Sequence, residues 1–140
     1  MIYVDTSVII SAITNEPATE AVVAWLSRLP PGSLWTSDWV DTEVESALAI
    51  KARRLLISQG ERNDARAQWH RLRAGGFLNI AVASAHFRSA AELVSRSATP
   101  LRAADALHLA LALSGGCAMA TRDAEFAAAA DTFGVATHFL

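Results

Sequence analysis

The sequence holds one cysteine, Cys117, in 140 residues. No disulfide can form within the chain, and a reducing compartment suits it. Lysine is equally scarce: Lys51 is the only one, so the cationic surface belongs to arginine. No apolar run approaches the ~18 residues of a membrane span. The N-terminus has no basic segment and its apolar run breaks at Asp5, which argues against a signal peptide. The expectation is a cytoplasmic protein with no membrane association. Neither sign of charge dominates: 12 Lys and Arg stand against 14 Asp and Glu, a net charge of -2. That balance does not advertise a nucleic-acid binder.

What is present is apolar matter: 52% of the residues are hydrophobic, enough for a sizeable core. Residues 1–140 read as one domain. The basic residues are unevenly spread. Lys51, Arg53, Arg54, Arg62, Arg66, Arg71 and Arg73 crowd one stretch that holds only Glu61 and Asp64 as acids. The stretch is either a solvated helical face or an edge that meets phosphate.

The opening run Ile2-Tyr3-Val4 reads as a buried strand. Asp5 follows, and Thr6 and Ser7 are good helix caps. Asp5 therefore belongs at the C-terminal end of the first strand, the edge where open α/β sheets bind ligands; its simpler role is to cap the next helix. Helices are expected at 6–14, 18–29, 39–55, 61–74, 84–97, 101–114 and 125–130. Strands are expected at 34–36, 77–82, 117–120 and 135–139. Asn15-Glu16-Pro17, Pro30-Pro31-Gly32, Gly75-Gly76, Thr99-Pro100 and Gly115-Gly116 punctuate them. Ser58-Gln59-Gly60 reads as a turn, and Ser37 or Asp38 as the cap of the third helix. Alternating strands and helices imply an α/β fold. The expected architecture is a three-layer α/β/α sandwich around a mostly parallel sheet of about five strands.

Four carboxylates sit where carboxylates are costly. The helix around Ala103–Leu113 is apolar nearly all round, with Asp105 and His108 its only polar residues. Such a helix is buried, and a buried carboxylate needs a partner or a metal. Arg102 is one available partner. His108, three residues on, shares that face; it is either a hydrogen-bonded packing histidine or a ligand. In the third helix Val40, Val44, Ala47, Leu48 and Ile50 form an apolar stripe. At 100° per residue Glu43 falls at its edge and Glu45 almost opposite, facing solvent. Asp123 follows the fourth strand as Asp5 follows the first, and it too could simply cap a helix. Carboxylates gathered at one sheet edge repel each other, and a hard divalent cation relieves that. An oxygen-only set selects Mg²⁺ or Mn²⁺.

The segments Val4-Asp5-Thr6-Ser7, Thr42-Glu43-Val44, Arg102 to Ala110 and Thr121-Arg122-Asp123-Ala124-Glu125-Phe126 together resemble a PIN domain, in particular the VapC-type toxins of bacterial toxin–antitoxin modules. The resemblance covers residues 2 to about 139. It implies that Asp5, Glu43, Asp105 and Asp123 form an acidic, catalytic metal site, with Thr6 and Thr121 flanking it. It implies a metal-dependent endoribonuclease that uses Mg²⁺ or Mn²⁺ to hydrolyse RNA, leaving a 3′-hydroxyl and a 5′-phosphate. Lys51, Arg53 and Arg54 are candidates for contacts with the RNA backbone. The implied partners are RNA, a small antitoxin whose segment covers the acidic cleft, and a second copy of the chain. Trp25, Trp39 and Trp69 belong either to such interfaces or to the core. With the four site acids set aside, 12 basic groups face 10 acidic ones, so the charge balance no longer argues against RNA.

Other acidic-edge folds fit less well. A phosphotransfer receiver wants a lysine after its last strand. A haloacid-dehalogenase-type phosphatase needs an aspartate where Ser7 stands. A dinucleotide-binding domain needs glycines in the first turn. The remaining alternative is a PIN-like module that binds protein or RNA and has lost cleavage.

Overall fold

The computed structural model describes residues 1–140. In chain order the elements are β1 (Ile2–Val4), α1 (Thr6–Ile13), α2 (Thr19–Ser27), β2 (Leu34–Ser37), α3 (Asp38–Arg53) and α4 (Gln59–Gly76). They continue with β3 (Phe77–Ile80), α5 (Ser84–Arg96), α6 (Ala103–Gly115), β4 (Ala118–Thr121), α7 (Ala124–Thr132) and β5 (Thr137–Phe139). The five strands form one sheet in the order β3-β2-β1-β4-β5, and every pairing is parallel. Parallel strands need crossovers, and the seven helices supply them.

β1 is the middle strand, pairing Tyr3 with Trp35 on one side and with Met119 on the other. From β1 the chain builds outward through β2 and β3, then returns to the opposite side of β1 with β4. The order reverses between β1 and β4, so the residues after these strands flank the switch point where ligands bind in such sheets. Those residues are Asp5 and Arg122-Asp123.

The core is built from the faces the sequence makes apolar. Tyr3, Val4, Val8, Ile9, Leu48, Leu109, Leu111, Met119 and Phe126 are fully buried. α6 is buried continuously from Ala106 to Ala112 and packs against α5, while α1 packs against α2, α3 and α4. Trp69 belongs to this core, edge-on to Phe77 at 5.6 Å, and Trp25 tilts against His138. No helix is long and apolar enough to cross a membrane.

Several boundaries differ from the sequence expectation for identifiable reasons. Ser58 opens α4 two residues earlier than expected. Its hydroxyl accepts from the Glu61 amide at 3.1 Å, and Glu61 accepts from the Ser58 amide at 2.7 Å. This is a capping box, written in the sequence as Ser-x-x-Glu. Gly75-Gly76 do not close the helix before them; α4 runs through both. α6 begins at Ala103 with Arg102 as its cap, and β5 is confined to Thr137–Phe139.

Candidate active site

The cap of α1 is Asp5, not Thr6 or Ser7. One oxygen, Oδ1, accepts from the Ser7 amide at 3.0 Å, the Val8 amide at 3.3 Å and the Ser7 hydroxyl at 2.6 Å; Oδ2 accepts from the Thr121 hydroxyl at 2.7 Å. Capping and membership of the acidic edge thus coexist in one carboxylate. Asp5 is 5% exposed. Burial pushes its carboxyl above the usual range, and the hydrogen bonds from Ser7, Thr121 and Val8 only partly offset this.

Asp123 repeats the arrangement after β4. Its Oδ1 accepts from the Glu125 and Phe126 amides at 2.9 and 3.0 Å, capping α7. The Asp123 amide in turn donates to the Thr121 hydroxyl at 3.0 Å. Thr121 therefore links the two acids, receiving from one segment and donating to the other. Ser7 makes the second link, since its hydroxyl also accepts from the Arg122 amide at 2.8 Å. In the sequence Ser7 shows only as a capping hydroxyl beside Thr6 within the Val4-Asp5-Thr6-Ser7 segment; its bridge to Arg122 depends on the pairing of β1 with β4.

Asp105 lies in the first turn of α6, half-buried. No protein group donates a hydrogen bond to it; its neighbours are charges. Burial raises its carboxyl first, and the nearby Asp123 and Asp5 carboxylates raise it further. Arg102, one partner the sequence offers it, lies 3.8 Å from both Asp123 and Glu125, with 73% of its side chain exposed.

Glu43 reaches the same region from α3. Its Oε2 accepts from the Thr6 hydroxyl at 2.6 Å and from His108 Nε2 at 2.5 Å. Burial pushes this carboxyl up, but His108, Thr6 and the nearby Trp39 indole outweigh it and hold the group below its ordinary value. The Trp39 N–H is itself buried without a partner at hydrogen-bond distance. His108 is 3% exposed and also meets the Tyr3 hydroxyl through Nδ1 at 3.0 Å. It is a buried, hydrogen-bonded histidine that joins the middle strand to Glu43. Glu45, expected to face open solvent, faces α4 and pairs with Arg66 and Arg62.

The four acids thus approach one sheet edge from β1, α3, α6 and β4, but no three acidic, imidazole or thiol groups converge closely enough to grip an ion as they stand. The donor chemistry nevertheless fits a hard cation. Asp105 is unclaimed by any protein donor, and Glu43 holds its two hydrogen bonds on Oε2, away from Oε1.

The basic stretch separates into two groups. Lys51 donates to Glu16 at 2.7 Å. Arg62 and Arg66 hold Glu45, and Arg73 holds Asp38 and Asp41. Arg53 and Arg54 are exposed and have no ion pair, at the end of α3, about 15 Å from Glu43 along a helix that rises 1.5 Å per residue.

Comparison with known proteins agrees with this architecture. FitAcB from Neisseria gonorrhoeae is 28% identical, with a TM-score of 0.68 over 100% of this chain and 97% of that one. FitAB bound to an IR36 DNA fragment is 27% identical, with a TM-score of 0.74 over 99% of this chain and 94% of that one. VapC20 from Mycobacterium tuberculosis, a sarcin-ricin loop cleaving toxin, shares the fold at 21% identity, with a TM-score of 0.71 over 92% and 95%. No individually curated protein matches the sequence. The PIN domain family matches residues 2–132, almost the whole alternating pattern from β1 to α7, and the chain is a member of that family.

Proposed function

We propose that this protein is a metal-dependent endoribonuclease and the toxin of a toxin–antitoxin pair. The observation that carries the reading is Asp105: a half-buried carboxylate with no protein donor, crowded by Asp123 and Asp5 at the switch point of the sheet. A protein gains nothing in stability from such a group. Family membership and the likeness to FitAB, VapC20 and FitAcB support the same reading.

Asp5, Glu43, Asp105 and Asp123 would hold Mg²⁺ or Mn²⁺. When bound there, such an ion would supply an activated water and charge neutralisation at the scissile phosphate. Thr121 holds Asp5 and the Asp123 backbone in register, and Thr6 holds Glu43. Arg53 and Arg54 remain available for the RNA backbone, whereas Lys51 is engaged by Glu16. Arg102, exposed at the rim, could exchange Asp123 for a phosphate.

The partners proposed are a cognate antitoxin and a second copy of the chain. The second copy suits the apolar face where Phe87 and Val94, 53% and 42% exposed, adjoin Trp39 and Leu107.

The test is incubation of the purified chain with total RNA in Mg²⁺, in Mn²⁺ and in EDTA, followed by mapping of the ends. Cleavage with metal only, leaving 3′-hydroxyls and 5′-phosphates, is expected. Expression of the chain alone should arrest bacterial growth, and Asp5→Asn should relieve the arrest while keeping the circular-dichroism spectrum of the fold. An equally toxic Asp5→Asn protein would show the assignment to be wrong. Binding of RNA or protein without cleavage would favour the silent-module alternative.

A further inference from the structure

Tyr3 is a phenol in the middle strand, 0% exposed, and the proposed chemistry does not use it. Its hydroxyl lies 2.7 Å from Ser37 Oγ and 3.0 Å from His108 Nδ1. Ser37 is the cap residue of α3, yet its side chain caps nothing. Ser37 is 0% exposed, and Tyr3 is the only partner of its hydroxyl. At the other end, His108 Nε2 meets Glu43 Oε2 at 2.5 Å. Ser37, Tyr3 and His108, all buried, and the partly exposed Glu43 thus form a continuous hydrogen-bonded chain across β2, β1, α6 and α3.

The direction of the hydrogen bonds follows from counting hydrogens. An ionised carboxylate only accepts, so Nε2 carries a hydrogen. If Nδ1 also carried one, Tyr3 would have to donate to Ser37, and the Ser37 hydrogen would be a buried donor with no acceptor. Such a donor costs roughly 1–3 kcal/mol. With Nδ1 bare, Ser37 donates to Tyr3, Tyr3 donates to Nδ1, and Nε2 donates to Glu43. Every polar hydrogen then has an acceptor.

We propose that Ser37 and Tyr3 fix His108 in its Nε2–H tautomer, and that His108 is a positioning residue for Glu43. His108 and Thr6 converge on one oxygen of that carboxylate. This restrains its rotation and leaves Oε1 free of both of these donors. Partners of this kind orient a ligand and set its basicity. The role rests on the nuclease reading of Glu43; the tautomer does not.

The experiment has two arms. In the first, long-range ¹H–¹⁵N correlation spectra of the ¹⁵N-histidine-labelled chain resolve its 4 histidines, and the signal lost in His108→Gln assigns His108. A protonated Nε2 with a bare Nδ1 is expected, and Tyr3→Phe should destroy that single tautomer. A hydrogen on Nδ1 in the parent overturns the proposal. In the second arm, calorimetry measures Mn²⁺ affinity and cleavage of an RNA oligomer is followed kinetically. His108→Leu should weaken Mn²⁺ by about 10–100-fold and lower kcat with KM unchanged. His108→Gln, whose amide can still donate to Glu43, should recover most of the affinity. If the leucine variant does not fold, Tyr3→Phe, which keeps the ring, serves in its place and should weaken Mn²⁺ in the same direction. A folded His108→Leu or Tyr3→Phe protein that binds Mn²⁺ as tightly as the parent overturns the positioning role. A parent that binds no Mn²⁺ and cleaves no RNA overturns the nuclease reading together with that role, leaving the spectrum to decide the tautomer.

Discussion

Asp105 and Glu43 show how one residue type acquires opposite characters from its surroundings. Asp105 has no donor, and burial with the Asp123 and Asp5 carboxylates raises its carboxyl above the ordinary range despite His108 and Arg102. A carboxyl whose value is raised on folding binds its proton more readily folded than unfolded. Ionisation at neutral pH therefore favours the unfolded chain, and the penalty shrinks as pH falls through the raised folded value. Asp105→Asn removes that charge. In EDTA the variant should melt higher, by about 3 °C, gain less from added Mg²⁺ than the parent, and fail to cleave RNA. Melting scans with and without Mg²⁺ decide the matter; a lower midpoint and an undiminished gain from Mg²⁺ would make Asp105 a structural residue. Glu43 is held below its ordinary value by His108 and Thr6, and Glu45 is turned to the arginines of α4. Glu43→Gln should cost cleavage about 100-fold or more, exceeding a typical outer partner. Glu45→Gln should keep most activity and lose about 0.5 kcal/mol of stability, as befits a half-exposed ion pair. Equal activity losses in the two variants would remove the argument from helical phase.

At the scale of elements, the helix ends contrast sharply. α6 closes on Gly116 at φ 61, with Gly116 and Cys117 amides returning to Leu113 and Ala112. α3 closes by the same left-handed turn, with Leu55 and Leu56 amides returning to Ala52 and Lys51, but the residue at φ 58 is Leu55. A left-handed conformation costs a side-chain-bearing residue roughly 1–2 kcal/mol, and glycine is the usual occupant. Leu55 is 90% exposed, so little burial offsets the strain. Leu55→Gly should raise stability by about 0.5–1 kcal/mol after the entropy of glycine in the unfolded chain is subtracted. Urea denaturation should report it as a higher midpoint with an unchanged slope; a destabilised variant would mean that Leu55 makes contacts its exposure does not suggest. Both closures could be sought in the sequence, but only Gly115-Gly116 announces itself, because leucine carries no signal of a left-handed turn.

For the whole molecule the decisive feature is the strand order. Placing β1 in the middle and reversing the strand order between β1 and β4 brings Asp5 and Asp123, 118 positions apart, to one edge. Thr121 and Ser7 then join the two segments by side-chain hydrogen bonds. The same packing leaves Phe87 and Val94 uncovered on α5. Such a face favours self-association, and light scattering at micromolar concentration should give the mass of a dimer. Phe87→Glu should return it to monomer with the fold retained. A monomeric parent would exclude this face as a dimer interface.

The sequence by itself determined the alternation of strands and helices, the apolar stripe of α3, the burial of α6 and the candidate acids. Each of these is local: period, capping chemistry and apolar runs act within a few residues, and they survive in a string of letters. It also suggested the family, because four short motifs kept their order and spacing across the chain. Tertiary structure alone decided the partners. Arg102 turned to Asp123 rather than Asp105, Lys51 to Glu16 rather than to open solvent, and Glu45 to Arg66. It decided, too, that Tyr3, a residue indistinguishable from core in its strand, meets His108 from 105 positions away. A hydrogen bond depends on distances of about 3 Å and on direction. Such distances exist only after the sheet order has set which ends of which elements meet.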